Sequence, residues 1–340
     1  MPIDPSTSPS RPSQPLRTGL QPAALAAFRN RVDKGLRHWS RWARRRDLGA
    51  FRFYDRDLPE FPLALDGYVP ADPACGTLRV HLQEFETGWT QTPAAHAAWL
   101  RGVRAAVAEA TAVPLPHIVC KERIRRRAGA QHQKTGVPGE TFEVIEQGLR
   151  FWVNLEAYLD TGLFADHRAL RALVRSRAAG RRMLNLFGYT GSFTVYAAAG
   201  GAPQSDTVDL SNAYLAWAAR NFQANGLDAA AHRLIRAEAF AWLDDAVFRR
   251  ERYDLIVLDP PAFSNSKAMA DVLDVQRDHA RLIGTCRALL APGGELYFST
   301  NLRTFALDVA LRADARDLTA ATRAQDFRDA RVHHAYVFTA

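Results

Sequence analysis

The second half of the chain alternates short apolar runs with helical stretches, and few architectures tolerate that rhythm. Strand-like segments at residues 182–187, 207–210, 232–238, 253–259 and 295–300 are separated by helical patterns, one from about 192, one ending near 225 and one over about 272–290. Repeated strand–helix alternation predicts right-handed βαβ crossovers and a mostly parallel sheet with helices on both faces, the doubly wound α/β class. Ligands of such sheets sit beyond the carboxyl ends of the strands, at the point where strand order reverses. The chemistry is therefore expected just after each run.

The first half reads differently. Residues 1–22 hold six prolines and Ser6, Ser8, Ser10 and Ser13, with too little apolar surface to offset chain entropy, and are expected to be a disordered tail. In residues 28–46, Phe28, Val32, Leu36, Trp39 and Ala43 recur at helical spacing while Arg29, Lys34, Arg37, Arg41, Arg44, Arg45 and Arg46 fill other positions. This is an amphipathic helix whose basic face is either simply solvated or a contact for RNA. Short β-like runs at 51–54, 78–82 and 142–145, broken by Pro and Gly around a helical stretch at 94–110, predict a small α+β domain over about 23–150, followed by the α/β domain over 151–340. Lys121, Arg123, Arg125, Arg126 and Arg127, with Gln131, Gln133 and Lys134 beyond, form a second basic segment, read either as a solvated loop or as a phosphate contact.

Charge and cysteine usage narrow the class. Forty-four basic against 36 acidic side chains leave a formal net charge of +8, which suits a polyanionic partner without requiring one. Cys75, Cys120 and Cys286 lie far apart, which argues against a disulfide framework and a Cys-based zinc site, and no metal is expected. No uncharged apolar run approaches the roughly 18 residues needed to span a bilayer, and the N-terminus lacks the apolar core of a secretion signal. A cytoplasmic, non-membrane protein is expected.

Three strand ends offer ligand chemistry. Asn185-Leu186-Phe187-Gly188-Tyr189-Thr190-Gly191-Ser192 is a strand-to-helix turn whose glycines allow close backbone approach and whose helix start can receive a carboxylate. It is not the G-x-G-x-x-G fingerprint, which disfavours a nicotinamide dehydrogenase. Asp209, about 20 residues on, can accept from both hydroxyls of a ribose, or else Asp209 or Ser211 caps the next helix. Glu238, with Ala239 beside it, is placed to bond an adenine amine, the alternative being a surface carboxylate. A carboxylate, a ribose and an adenine are the parts of S-adenosylmethionine. The sharpest signal is the apolar run Leu255-Ile256-Val257-Leu258 passing directly into Asp259-Pro260-Pro261-Ala262-Phe263. Consecutive prolines stiffen an extended backbone that can hold Asp259 and nearby carbonyls toward a planar base, with Phe263 as a stacking face. A plain Asp-Pro turn is the competing reading.

These residues carry a family resemblance. Asn185 to Ser192, Val208-Asp209-Leu210-Ser211 with Asn221 and Asn225-Gly226-Leu227, and Asp259-Pro260-Pro261 with Phe263-Ser264-Asn265-Ser266-Lys267 resemble the RlmK-type class I methyltransferases. The similarity extends over about residues 28–338, including Leu159-Asp160-Thr161-Gly162-Leu163-Phe164, Asp166-His167-Arg168 and Asp274-Val275-Gln276-Arg277-Asp278-His279. In many bacteria that unit is the C-terminal half of a fused RlmK/RlmL enzyme that methylates guanine N7 in 23S rRNA. The resemblance implies a seven-stranded methyltransferase sheet and S-adenosylmethionine contacts by Asn185, Phe187, Tyr189, Thr190, Gly191, Ser192, Asp209, Leu210, Glu238, Ala239 and Asp259, with Asp166 and Arg168 also considered. Glu238 stands where Asp is commoner, and either carboxylate can accept from an amine. It further implies 23S rRNA or a large-subunit precursor as substrate. The THUMP domain and second catalytic domain of the fused enzyme have no counterpart in these 340 residues, which leaves room for a separate RNA-binding partner.

Guanine N7 has an in-plane lone pair and loses no proton on methylation, so Asp259, Pro260, Pro261 and Phe263 need only position the base. Two rivals share the fold. Cytosine C5 methylation needs a thiolate, and none follows Asp259-Pro260-Pro261. Adenine amine methylation usually places an aromatic after the prolines, where this chain has Ala262. A catalytically inactive RNA-binding assembly factor is the rival from another class.

Overall fold

The computed structural model describes residues 21–76, 78–85, 92–123, 139–158, 160–264, 272–329 and 332–340. The expected tail lies outside these except at its end, where Pro22 opens a helix, α1 (Pro22–Arg44), as a proline can at a first helical position. Most of the second basic segment, and Asn265, Ser266 and Lys267, also lie outside the described residues.

Phe28, Val32 and Ala43 of α1 are buried against a four-stranded sheet of β1 (Ala50–Asp55), β2 (Leu63–Tyr68), β3 (Arg79–Phe85) and β4 (Ile118–Arg123). The first three strands are antiparallel neighbours, and β4 pairs parallel to β3 after the crossover helix α2 (Pro93–Thr111). The sequence pattern missed β2, whose residues are all buried and so show no polar alternation. A hairpin of β5 (Thr141–Glu146) and β6 (Leu149–Asn154) follows. It spans the boundary expected at 150, and its apolar face, Phe142, Val144, Phe151 and Val153, shares a core with Val195, Tyr196, Ala218 and Phe222 of the next domain.

After α3 (Arg168–Arg177) the chain alternates as expected: β7 (Met183–Leu186), α4 (Ser192–Ala199), β8 (Ser205–Asp209), α5 (Asn212–Ala224), β9 (His232–Arg236), α6 (Ala239–Phe248) and β10 (Tyr253–Leu258). A short antiparallel pair, β11 (Phe263–Ser264) and β12 (Leu273–Asp274), precedes α7 (Val275–Ala288). The chain ends with β13 (Leu290–Thr300), β14 (Ala315–Asp317) and β15 (His334–Thr339). The sheet has seven strands in the order β14-β15-β13-β10-β7-β8-β9. Strands β13, β10, β7, β8 and β9 run parallel, whereas β15 is antiparallel to β13 and to β14.

Burial follows the pleat. On β10, Ile256 and Leu258 join α6 and α7 in one core, while Leu255 and Val257 join α3 and α4 in the other, so the strand is apolar throughout because both faces are covered. Chain order runs outward from β7 to β9 and then returns to β10 beside β7, which puts the switch point at the carboxyl ends of these two strands. Among the described residues no helix is long and apolar enough to cross a membrane.

Candidate active site

Register brings the expected residues side by side. Leu258 pairs with Leu186, Leu186 with Val208 and Val208 with Ile235. The exits of β10, β7, β8 and β9 therefore form one edge, about 14 Å across at ordinary strand spacing.

The β7 exit is a tight turn. Phe187 and Tyr189 hold φ of 55° and 49°, and Gly191 holds φ of 73° with Phe222 Cε1 2.6 Å from where a Cβ would stand. Thr190 is fully buried, its hydroxyl donating to Gly162 O at 2.6 Å while Asn221 Nδ2 donates to Thr190 O at 2.9 Å. Ser192 is the first residue of α4, whose N-terminus carries no side-chain cap. Its leading N–H groups are available to an anionic group.

Asp209 ends β8 as expected. Its carboxylate accepts from Tyr189 N at 2.9 Å and Ser211 N at 2.8 Å, while Ser211 supplies the α5 cap. Burial outweighs these bonds and pushes its pKa up to about 6. A largely buried carboxylate held by backbone N–H groups retains acceptor capacity, the chemistry a vicinal diol requires, with Leu210 adjoining. Glu238 lies two residues beyond β9, not at the strand end. Its oxygens accept from Phe240 N at 3.0 Å and Ala241 N at 2.8 Å, which makes it the cap of α6, and Ala239 is buried as that helix's first residue. Each oxygen still has a lone pair to offer an amine.

Asn185 and Arg168, both expected at the cofactor, also have protein partners. Asn185 is 1 % exposed and donates to Thr194 Oγ1 at 3.1 Å within the sheet–helix core. Arg168 is 5 % exposed, pairs with Asp326 at 2.6 Å and donates to Ala50 O at 2.7 Å, tying the two domains together. Its high propensity for carboxylates is used structurally, alongside Arg171, which binds the fully buried Glu146 at 2.6 Å. Phe187 packs against the α6–α7 core.

Asp259 follows β10 directly, with Pro260 buried, Pro261 partly exposed and Phe263 at the start of β11. Ser299 Oγ, from β13, donates to Asp259 Oδ1 at 2.6 Å. His167 Nε2 lies 3.5 Å from the same oxygen, and His167 Nδ1 lies 3.4 Å from Asp166 Oδ2. His333, just before β15, stacks on His167 with ring centroids 4.9 Å apart and sets its Nδ1 3.9 Å from Asp166 Oδ2. Burial opposes charge on Asp259, but His167 and Ser299 outweigh it and hold the carboxyl below its ordinary range. Burial likewise opposes charge on His167, yet Asp259 and Asp166 prevail and raise its pKa to about 10. His333 is pushed down to about 4 by burial and by neighbouring His167. Sequence reasoning missed Ser299, His167 and His333 as neighbours of Asp259, because only the sheet order brings residues so distant in sequence together.

Tyr189 was expected at the cofactor. Its ring packs between Phe164 and Tyr214, with centroids at 5.1 and 4.6 Å, and its hydroxyl is buried. The turn therefore offers its backbone.

A family model described as S-adenosylmethionine-dependent methyltransferase matches residues 79–328. The chain is 49 % identical over 314 residues to ribosomal RNA large subunit methyltransferase K of Neisseria meningitidis serogroup B, covering 92 % of this chain and 86 % of that one. It is 46 % identical over 321 residues to ribosomal RNA large subunit methyltransferase K/L of Methylococcus capsulatus, covering 93 % of this chain and 43 % of the relative. The chain thus spans less than half of that K/L relative. A solved structure described as a methyltransferase complexed with SAH shares the fold at a TM-score of 0.70 and 24 % identity, covering 93 % of this chain and 82 % of that one.

Proposed function

The chain belongs to the S-adenosylmethionine-dependent methyltransferase family, and from that premise we propose that it methylates N7 of a guanine in 23S rRNA or its large-subunit precursor. The observation that carries this reading is the Asp259-Pro260-Pro261 exit at the switch point with no thiol beside it. Cys286 is buried in the α7 core and its thiol is pushed above the ordinary range by burial, while Cys75 and Cys120 belong to the small domain. Cytosine C5 chemistry has no nucleophile here. The rRNA substrate is supported by the relative named ribosomal RNA large subunit methyltransferase K.

When bound, S-adenosylmethionine supplies an electrophilic sulfonium methyl. Asp209 receives the ribose hydroxyls, Glu238 the adenine amine, and the uncapped start of α4 with the backbone of Tyr189 to Ser192 receives the amino-acid carboxylate. Asp259, held ionised by His167 and Ser299, orients the base through its N–H groups together with the carbonyls of Pro260 and Pro261, and Phe263 stacks on it. No general base is needed, and positioning supplies several kcal/mol of rate, with nearby acceptors easing the charge left on the product.

The small domain provides the RNA surface in this reading. Lys34, Arg37, Arg41, Arg44, Arg45 and Arg46 of α1 and its C-terminal flank are exposed. A separate RNA-binding partner assists recruitment in this reading, and the site of action is the cytoplasm. Purified protein incubated with unmodified 23S rRNA and methyl-labelled cofactor should yield labelled 7-methylguanosine on nucleoside digestion. Label in 5-methylcytidine or N6-methyladenosine instead would refute the assignment.

A further inference from the structure

Behind Asp259 lie two stacked histidines, three of whose four ring nitrogens have long or missing hydrogen bonds among the described residues. Both are buried: His167 is 4 % and His333 1 % exposed, His167 approaches Asp166 and Asp259 only at 3.4 and 3.5 Å, and Nδ1 of His333 has no hydrogen-bond partner among the described residues. The tautomer of His333 follows from its neighbour. Thr322 Oγ1 donates to Leu318 O at 3.0 Å, which uses its only proton, so it must accept from His333 Nε2 at 3.0 Å. Neutral His333 then directs an Nδ1 lone pair at Asp166 Oδ2, 3.9 Å away. That lone pair, Asp166 Oδ2 and, once its proton is displaced, His167 Nδ1 can then face one shared cation.

One carboxylate oxygen of Asp166 and one ring nitrogen each from His167 and His333 lie within 4.8 Å of one another. The far nitrogen of each ring faces an outer acceptor, Asp259 Oδ1 for His167 and Thr322 Oγ1 for His333. Imidazoles whose second nitrogen is held by a carboxylate or hydroxyl are the usual outer arrangement of a metal centre, because it fixes tautomer and ring orientation.

We propose that Asp166, His167 and His333 form a binding site for a divalent first-row transition metal, of which Zn²⁺ is the natural probe. Two imidazoles and one carboxylate suit Zn²⁺ or Co²⁺, whereas Mg²⁺ and Ca²⁺ prefer all-oxygen sets. Bound there, the ion joins the segment before α3 to the lead-in of β15. Through His167 Nε2 it also fixes the rotamer of Asp259, a consequence that rests on the proposed role of Asp259 although the site itself does not.

The test uses tag-free, chelator-stripped full-length protein titrated with Zn²⁺ by calorimetry and with Co²⁺ by visible absorption. The expected result is one equivalent of Zn²⁺ per chain, Co²⁺ bands showing nitrogen ligation, and no comparable response to Mg²⁺. His333→Ala and Asp166→Asn should each weaken Zn²⁺ binding by about tenfold or more, whereas His38→Ala, at an exposed position on α1, leaves it unchanged. Zn²⁺ should raise the melting temperature of the wild type and not of His333→Ala. Absence of stoichiometric binding, or binding unaltered in folded His333→Ala and Asp166→Asn, overturns the site. Cofactor affinity measured in parallel on the same samples reports the methyltransferase reading independently.

Discussion

Lowering the pH should weaken cofactor binding through one identifiable group, Asp209. Burial raises its pKa to about 6 in the free protein against backbone N–H donors that favour the anion. To accept from both ribose hydroxyls the carboxylate must be ionised, so its proton leaves before or during binding. The sign follows: protonation competes with the cofactor, and affinity falls as pH drops through 6. For a single competing proton the apparent Kd scales as one plus the ratio of proton concentration to the acid constant, about 1.1-fold at pH 7 and about elevenfold at pH 5 relative to alkaline pH. Calorimetric titration with S-adenosylmethionine between pH 5 and 8, on samples whose circular dichroism confirms the native fold, measures the profile. Asp209→Asn removes the titrating group and two charge-assisted acceptors, so its affinity should drop by about tenfold or more and its dependence through pH 6 should flatten. A wild-type Kd constant over this range, or an Asp209→Asn profile that keeps the wild-type slope, would refute the assignment of Asp209 to the ribose.

Other substitutions separate the catalytic edge from the scaffold. Asp259→Ala should cut methyl transfer by ~100-fold or more while cofactor Kd stays within a few-fold, read by single-turnover rate and calorimetry on one preparation. Arg168→Ala should lower denaturant stability by about 3 kcal/mol, because buried Asp326 loses its guanidinium partner and is left with the backbone N–H of Arg52, yet cofactor affinity of the folded fraction should not change; selective loss of cofactor binding would restore a direct contact. Glu146→Ala, which strips Arg171 and Tyr196 of their shared carboxylate, should cost about 3–5 kcal/mol in urea melts. Gly162→Ala would put a Cβ 2.2 Å from Trp217 Cζ2 at a φ of 96° and should destabilise by about 1–3 kcal/mol; a neutral effect in urea melts would show that the Gly162–Trp217 contact is soft.

Much of the sheet was legible because covered parallel strands announce themselves as apolar runs between helical patterns, and β7, β8 and β10 lie where those runs stand. The strand-end logic carried Asp209 and Asp259 to the switch point, since register alone aligns residues that follow neighbouring strands. It failed where a side chain had a stronger local or tertiary claim. Arg168 answers Asp326 from a segment 158 residues away, which no local pattern encodes, and Glu238 stands two residues past β9 as the cap of α6. The pairing of His167 with His333 was hidden for the same reason: each is an isolated histidine in sequence, and only the placement of β15 beside β13 closes the gap. In the small domain the fully buried β2 lacked both alternation and helical period, so composition gave no cue.

In the proposed function this chain methylates a guanine at N7 in 23S rRNA through an edge that includes Asp259. Mass spectrometry of 23S rRNA from a strain lacking the gene, and from that strain carrying wild-type or Asp259→Ala protein, tests it most directly. One 7-methylguanosine should disappear, return with the wild type and fail to return with Asp259→Ala. An unchanged 7-methylguanosine inventory in the deletion strain would contradict it.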